Sequence, residues 1–257
     1  MRWWAIRRGF PSDGSVTVCI ATWNSAEHLA VALSALRLHS NRVDRIIVVD
    51  NWSEDATRQV ATRDPRVQLI RLPFNAGHGT ALNIAVIAAR TEFVVTLDPD
   101  AFPIDDEWVS TLVQPLAEGA RVSGVVAYRE FAHPCCLAIR TERFIQQRHS
   151  FSAKGKVSEY GTSGWDTGES ISMLERPDVR LFPATSTLGP GMVGTAWEGI
   201  AYHNFYSVRH RRGVGSGPVE VLDGGITTAD SASAWDQSCR KYLGLTEEDR
   251  CLLVSAQ

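Results

Sequence analysis

A regular alternation of short apolar runs and longer amphipathic segments fills the first hundred residues, and it constrains the fold more than any other feature. The apolar runs, which predict strands, are Val16–Ala21, Arg45–Val49, Val67–Ile70 and Phe93–Leu97. The segments between them predict helices over Ala26–His39, from Ser53 onward, and over Thr80–Arg90. Strands separated by helices of this length predict an α/β fold, with a mainly parallel sheet flanked by helices on both faces.

The alternation becomes irregular after residue 120. Further strands are predicted over Val122–Tyr128 and Cys136–Arg140, and further helices over Thr141–His149, over Trp165–Glu175 and from Asp230 onward. A polar loop that contains glycine and serine is predicted over Phe151–Gly164, and a flexible break over Gly213–Pro218.

Composition excludes several classes of protein. The 257 residues are 44% hydrophobic, which suits a domain with a real core. A formal net charge of −3 gives no basic footprint for nucleic acid. No apolar run approaches the roughly 18–20 residues of a transmembrane helix. The segment Met1–Arg8 lacks the apolar stretch of a signal peptide, but its tryptophans and arginines would allow peripheral membrane contact as well as packing on the domain. Five cysteines, an odd number, favour reduced thiols and a cytoplasmic location.

Polar clusters follow three of the predicted strands. They are Thr22-Trp23-Asn24, Asp50-Asn51 and Asp98-Pro99-Asp100. Ligands of open parallel sheets bind beyond the carboxyl ends of the strands. The three clusters are therefore expected to share one edge of the sheet and to form one ligand site.

The cluster Asp98-Pro99-Asp100 is the one most suited to a metal. Two carboxylates this close repel each other unless a cation or a proton lies between them. Mg²⁺ and similar ions favour one or two protein carboxylates together with phosphate oxygens. The sequence thus predicts a metal–diphosphate site, and the alternative is an Asp-Pro-Asp turn that simply ends a strand.

Four segments in this order resemble the donor half of GT-A glycosyltransferases, most closely the inverting family 2. They are Val18–Asn24, Val48–Thr57, Asn75–Gly77 with Asn83, and Leu97–Asp100. The resemblance implies a single GT-A-like domain over residues 1–257. Residues from about 14 to 130 would bind the nucleotide sugar, and residues from about 131 to 257 would bind the acceptor and include the C-terminal tail.

The resemblance also implies roles for individual donor-binding residues. Thr22, Trp23 and Asn24 would wall the base, and Asp50, next to Asn51, would accept hydrogen bonds from the base or the ribose. Asp50 has the alternative of capping a helix.

Asn75, Gly77 and Asn83 would lie beneath the nucleotide in the same family pattern. Gly77 and Gly79 would permit close approach of the backbone to the ligand. Asn83 has the alternative of an ordinary polar group on a helix surface.

In the family the last acid of the acidic motif reaches the metal and the first faces the ribose. Asp100 is accordingly the expected ligand of Mn²⁺ or Mg²⁺, with Asp98 as a supporting carboxylate. His203 is a candidate further ligand, and its alternative is a structural hydrogen bond. A late basic group, Arg209, Arg211 and Arg212, would contact the diphosphate or belong to a solvated loop.

An inverting transfer needs a general base, which the family supplies from the start of a helix in the second half. Asp166 is the first candidate and Glu169 the second, with Trp165 placed to stack on a sugar. The alternative is that Asp166 caps the helix and Glu169 belongs to its first turn.

The expected function is transfer of a sugar from a nucleoside diphosphate, with UDP the family default, to an unidentified acceptor hydroxyl. A sugar nucleotidyltransferase, a dinucleotide dehydrogenase or a methyltransferase would be expected to carry a glycine-rich loop after the first strand, and Ala21–Asn24 contains no glycine. A non-catalytic or partner-dependent nucleotide-sugar-binding protein stays open as an alternative.

Overall fold

The structure is a computed structural model that describes residues 9–152, 165–205 and 226–255. The strands in these ranges are β1 (Val16–Thr22), β2 (Arg45–Asp50), β3 (Val67–Arg71), β4 (Phe93–Leu97), β5 (Ala101–Pro103), β6 (Val122–Val126), β7 (Ala132–Arg140), β8 (Val179–Phe182), β9 (Ser186–Thr187), β10 (Thr195–Trp197) and β11 (Ala201–His203).

The helices follow the same chain order. They are α1 (Ala26–Leu38), α2 (Thr57–Arg63), α3 (His78–Ala88), α4 (Trp108–Ala117), α5 (Thr141–Gln146), α6 (Glu169–Glu175), α7 (Thr228–Ser238) and α8 (Glu247–Ser255). A π-helical segment, Cys239–Leu243, follows α7 directly. In the part of the chain that is described, no helix has both the length and the apolar character needed to cross a bilayer.

Seven strands form the larger sheet in the order β3-β2-β1-β4-β7-β6-β8. Strand β7 runs antiparallel to β4 and β6, and the other neighbouring pairs are parallel. The predicted α/β fold with a mainly parallel sheet is thus confirmed. Strands β2 and β4 lie on opposite sides of β1, so the strand order reverses there, which is where such sheets bind ligands.

Alternate residues of the central strands supply two separate cores. Val18 and Ile20 of β1 pack with α1 and α4 on one face, whereas Cys19 and Ala21 pack with α3 on the other. Every residue of β1 is buried. A strand covered on both faces must be apolar at odd and even positions alike, which explains why its sequence is a continuous apolar run.

The second sheet is small and antiparallel, in the order β5-β11-β10-β9. Strand β5 begins immediately after Asp100, and its register places Ala101 opposite His203 of β11. This sheet therefore carries the far end of the chain back to the acidic cluster.

Several predicted boundaries are wrong for identifiable reasons. The helix expected from Ser53 begins at Thr57, because the backbone N–H groups of Ser53 and Glu54 bond to the side chains of Asp50 and Asn24. The helix expected from Trp165 or Asp166 begins at Glu169, after Gly168 adopts a φ of 76°.

Other differences concern the second half. Strand β7 begins at Ala132 rather than Cys136, and Phe151, expected in a polar loop, is fully buried and stacks on Phe144 at 5.3 Å between ring centroids. Elements that the sequence did not predict are α4, β5 and β8 to β11. The predicted segments Met1–Arg8 and Gly213–Pro218 lie outside the described residues, as does most of the predicted loop before Trp165.

Candidate active site

Asp98, Asp100 and His203 form a compact cluster beyond the carboxyl end of β4. The Nε2 atom of His203 lies 3.1 Å from Oδ1 of Asp100 and 3.4 Å from Oδ2 of Asp98. One potential ligand atom from each residue lies within 4.8 Å of the others. The backbone N–H of Asn204 donates to the carbonyl of Asp100 at 3.0 Å, which fixes β11 against the acidic turn. The structure thus brings together the three predicted metal ligands.

The electrostatics of this cluster call for a positive charge. Burial would raise the pKa of Asp98 and Asp100, but the imidazole of His203, together with that of His78 at Asp98, outweighs it and lowers both. Burial would lower the pKa of His203, but Asp100 and its neighbours raise it well above its usual range. The two acids and His203 thus favour positive charge at one place, and a divalent cation is one source of such charge. Two carboxylates and an imidazole are a donor set that fits such an ion.

His78 is a site residue that the sequence reasoning missed. It is the first residue of α3, and its Nε2 atom lies 3.2 Å from Oδ1 of Asp98, with 37% of its side chain exposed. His78 directly follows Asn75-Ala76-Gly77, and this motif places the N-terminus of α3 at the site. That adjacency is the feature of the sequence from which His78 could have been predicted.

Asp50 lies fully buried at the end of β2. Its Oδ1 atom accepts a hydrogen bond from the backbone N–H of Ser53 at 3.0 Å, and Oδ2 lies 3.5 Å from Nε of Arg71. No described residue hydrogen-bonds to Oδ2. The alternative of a helix cap is wrong for Asp50, because α2 begins only at Thr57. One buried carboxylate oxygen of Asp50 therefore lies near a guanidinium and accepts no hydrogen bond from the described residues.

The other predicted base-binding residues surround Asp50. The backbone N–H of Asn51 donates to the carbonyl of Thr22 at 2.8 Å, which joins β1 to β2 at their ends. Thr22 is buried and Trp23 is half-buried. The Asn24 side chain accepts the backbone N–H of Glu54 at 2.8 Å, so its carbonyl oxygen braces the neighbouring loop.

Trp52 and Arg71 were not among the predicted site residues. The Arg71 guanidinium lies 4.8 Å from the centre of the Trp52 ring, which is 42% exposed. They line a cavity of about 250 Å³ together with residues 53–55, Arg58 and Gln59. A larger cavity, of about 510 Å³, lies between α4 and β8 and contains none of the predicted site residues.

Asn75 and Gly77 lie in the turn before α3, whereas Asn83 lies within α3. The Asn51 side chain accepts a hydrogen bond from the backbone N–H of Ala76 at 2.7 Å, and Asn75 accepts one from that of Gly77 at 3.0 Å, so this turn is fixed beside Asn51. Gly77 has a φ of 88°, and a Cβ there would meet no atom within 4 Å in the described part of the chain.

The Asn83 side chain contacts the segment around Phe151. It accepts the backbone N–H of Phe151 at 2.8 Å and donates to Ser150 at 2.9 Å. A Cβ on Gly79 would lie 2.6 Å from the carbonyl oxygen of Phe151, so Gly79 admits this segment of chain. Asn83 thus binds the segment around Phe151 to α3, and Gly79 leaves the space for that segment to approach the helix.

Asp166 lies three residues before Glu169, which is the first residue of α6. The Asp166 carboxylate accepts the backbone N–H of Thr167 at 2.7 Å and the hydroxyl of Tyr128. Glu169 is buried; its Oε2 atom accepts the backbone N–H of Asp166 at 2.8 Å and pairs with Arg129 at 2.8 Å. The helix N-cap is Gly168, so Asp166 is not the cap, whereas Glu169 does belong to the first turn.

A row of rings connects Asp166 with the acidic cluster. The rings of Tyr128 and His133 are 6.3 Å apart, and those of His133 and His203 are 6.1 Å apart. Burial is the main cause that lowers the pKa of His133 to about 4, so this imidazole is neutral at physiological pH. The predicted base and the predicted metal ligands therefore border one region. Arg209, Arg211 and Arg212 lie outside the described residues.

A protein-family model, two curated proteins and two solved structures are similar to this chain. Residues 17–158 match the model of glycosyl transferase family 2. The succinoglycan biosynthesis protein ExoO of Rhizobium meliloti is 34% identical over 110 residues, which are 42% of this chain and 32% of ExoO. An uncharacterized glycosyltransferase of Nostoc is 30% identical over 115 residues, 43% of this chain and 34% of that protein. The matches thus span about a third of each curated relative.

Two solved structures share the fold. S. aureus TarS 1-349 has a TM-score of 0.52 at 16% identity, covering 94% of this chain and 81% of that one. The mannosyltransferase PcManGT of Pyrobaculum calidifontis, solved with GDP-Man and Mn²⁺, has a TM-score of 0.51 at 19% identity, covering 74% of this chain and 63% of that one.

Proposed function

This chain belongs to glycosyl transferase family 2, and we propose that it is a metal-dependent, inverting glycosyltransferase of the hexosyltransferase type. It would move a sugar from a nucleoside diphosphate to an acceptor hydroxyl. The observation that carries the proposal is the cluster of Asp98, Asp100 and His203 beyond the switch point of the sheet. Residues from about 14 to 130 would hold most of the donor, and the remainder would bind the acceptor.

The proposed donor is a UDP-sugar, because the side chains of Asp50 and Arg71 suit the hydrogen-bonding pattern of uracil. Uracil presents one N–H donor between two carbonyl acceptors. The Oδ2 atom of Asp50 offers an acceptor and the nearby Arg71 guanidinium offers donors, which complement that pattern. Thr22, Trp23, Asn24 and the turn that contains Asn75 and Gly77 would enclose the base and ribose. TarS has been solved with UDP-GlcNAc, and PcManGT with GDP-Man, so a guanine donor is the alternative to test.

Asp100, Asp98 and His203 would hold the metal, and Mn²⁺ is favoured over Mg²⁺. The reason is that an imidazole nitrogen suits transition ions, whereas Mg²⁺ prefers oxygen ligands and bound water. When bound, the ion would act as a Lewis acid that neutralises charge on the departing diphosphate. In the family pattern Asp98 would also face the ribose, so it would contact both groups.

Asp166 is the proposed general base. It would take the proton of the acceptor hydroxyl as that oxygen bonds to the anomeric carbon, while the bond from this carbon to the diphosphate oxygen breaks and its electron pair leaves with the nucleotide. Glu169 is less suited, because Arg129 already pairs with its carboxylate.

All five cysteines are unpaired, and four of them are buried, which supports the proposal of a cytoplasmic location.

The test is a thermal-shift screen of UDP-, GDP- and dTDP-sugars with and without Mn²⁺, followed by NMR of the transfer product. A ligand that binds the native state raises the melting temperature. We expect stabilisation by a UDP-sugar only with Mn²⁺, and a product of inverted anomeric configuration. A retained configuration would overturn the inverting mechanism, and no response to any of these nucleotide sugars would overturn the donor.

A further inference from the structure

Four side chains around the start of α6 form a closed ring of contacts. Tyr128 and Arg129 lie between β6 and β7, and Asp166 and Glu169 lie on the α6 side. The Tyr128 hydroxyl donates to Asp166, whose backbone N–H donates to Glu169. Glu169 pairs with Arg129 at 2.8 Å, and the Arg129 guanidinium lies 5.3 Å from the centre of the Tyr128 ring. Each member is therefore held by two others.

This ring of contacts gives the two acids different functions. The buried Glu169 carboxylate pairs with the Arg129 guanidinium and accepts a hydrogen bond from the backbone N–H of Asp166, which fixes that backbone. The Asp166 carboxylate is oriented through both oxygens, by Thr167 at Oδ1 and by Tyr128 at Oδ2. Each carboxylate oxygen has a second lone pair, so the orientation leaves acceptor capacity for a substrate hydroxyl. Burial, with the bond to Asp166, raises the pKa of Tyr128 to about 12, so the phenol keeps its proton.

Two aromatic side chains that adjoin Asp166 are exposed. The exposed fraction is 51% for Tyr128 and 39% for Trp165, which directly precedes Asp166. Exposed aromatic groups that cluster in one place mark binding surfaces more often than isolated ones do. A sugar ring has an apolar C–H face that packs on an aromatic ring and equatorial hydroxyls that need polar partners. An aromatic pair around an oriented carboxylate matches both requirements.

We propose that Tyr128 positions the Asp166 carboxylate and, with Trp165, lines a subsite for a sugar ring of the acceptor. The acceptor is then a saccharide, and Tyr128 acts on both the rate of transfer and the affinity for that saccharide. This inference rests on the proposed function, since it assigns the acceptor side of the same site.

The experiment separates the two roles of Tyr128 with two variants. Tyr128→Phe keeps the ring and removes the hydroxyl, whereas Tyr128→Leu removes both. The probes are a panel of methyl pyranosides as acceptors, with the nucleotide sugar that stabilises the wild type as donor, and kcat and KM are measured for each. Leu174→Ala, at an exposed position of α6 away from the ring of contacts, is the control.

For Tyr128→Phe we expect kcat to fall about 10- to 100-fold with the acceptor KM unchanged, because a displaced carboxylate slows proton transfer. For Tyr128→Leu we expect a similar fall in kcat and an acceptor KM raised about tenfold by loss of the ring. Leu174→Ala should keep wild-type values. Donor affinity should stay within twofold of the wild type in all variants.

Several results would overturn this inference without touching the proposed function. They are normal kcat in Tyr128→Phe, an unchanged acceptor KM in Tyr128→Leu, or failure of every pyranoside to accept sugar from an enzyme that binds and hydrolyses the donor. Absence of any Mn²⁺-dependent donor binding by the wild type would instead overturn the proposed function itself.

Discussion

The Nε2 atom of His203 lies 3.1 Å from Oδ1 of Asp100, although 103 positions separate the two residues in the chain. Two strands cause this proximity: β5 begins directly after Asp100 and pairs with β11, which ends at His203. The acidic turn is thus closed on one side by a residue from the far half of the chain. A carboxylate pair that faced only solvent would have no such fixed imidazole beside it.

The first prediction compares His203 with His78, since both imidazoles contact Asp98. His203→Ala should weaken Mn²⁺ binding at least tenfold, because one of three ligands is lost, whereas His78→Ala should change it only a few-fold. Electron paramagnetic resonance of free Mn²⁺ at a fixed UDP concentration measures both. Equal losses in the two variants would show that His203 only neutralises the acids.

A second prediction separates the two candidate bases. Asp166→Asn should lower kcat roughly 10²- to 10⁴-fold, the usual contribution of general base catalysis, with donor binding retained. Glu169→Gln should lower kcat less than tenfold and mainly loosen the start of α6, because its partner Arg129 loses its counter-charge. Steady-state transfer rates decide, and a larger loss in Glu169→Gln would reverse the assignment.

A third prediction concerns Gly79 in the first turn of α3. Replacing glycine by alanine within a helix ordinarily stabilises it by up to about 1 kcal/mol. Here the new Cβ would lie 2.6 Å from the Phe151 carbonyl oxygen, so Gly79→Ala should instead lower the free energy of unfolding by about 1–3 kcal/mol. Urea denaturation measures this, with Gly9→Ala as the control, since a Cβ there meets no atom of the described residues within 4 Å. Stabilisation by Gly79→Ala would contradict the close approach.

The fourth prediction is a dependence of stability on pH that Glu175 causes. Its buried carboxylate faces Arg143 at 2.6 Å, His149 at 2.5 Å and Arg121 at 3.6 Å. Burial would raise the pKa of Glu175, but the bonds from Arg143 and His149 outweigh it and lower the pKa below the ordinary value of 4.5. A carboxyl with a lowered folded-state pKa stabilises the fold above its unfolded-state pKa, and this stabilisation is lost as the pH falls through the folded-state pKa.

Glu175→Gln tests this dependence through the free energy of unfolding at each pH. The variant should be less stable than the wild type by about 1–3 kcal/mol at pH 7, because Arg143, His149 and Arg121 lose the carboxylate that they contact. The difference should shrink as the pH falls below about 4.5. A difference that stays constant down to pH 3 would contradict the role of the carboxylate charge.

Local sequence patterns predicted the sheet edge well, because Asp50 ends one almost entirely buried strand and Asp98 directly follows another. Asp50, Asp98 and Asp100 lie where the strand pattern placed them. Parts of the second half escaped prediction, because β9 to β11 have two or three residues each and are specified by pairing with distant strands. His78, Arg71 and Tyr128 were missed for a similar reason: their significance lies in contacts with distant residues, and their immediate neighbours in sequence give little sign of it.

The most direct test of the central claim is calorimetric titration of the UDP-sugar selected by thermal shift into wild type and Asp100→Asn. Asp106→Asn, whose side chain is 61% exposed, serves as the matched control. We expect donor binding in wild type and Asp106→Asn with Mn²⁺ present, and its loss on adding EDTA or in Asp100→Asn. Equal donor affinity for Asp100→Asn and wild type, with or without Mn²⁺, would show that no metal at Asp100 holds the donor.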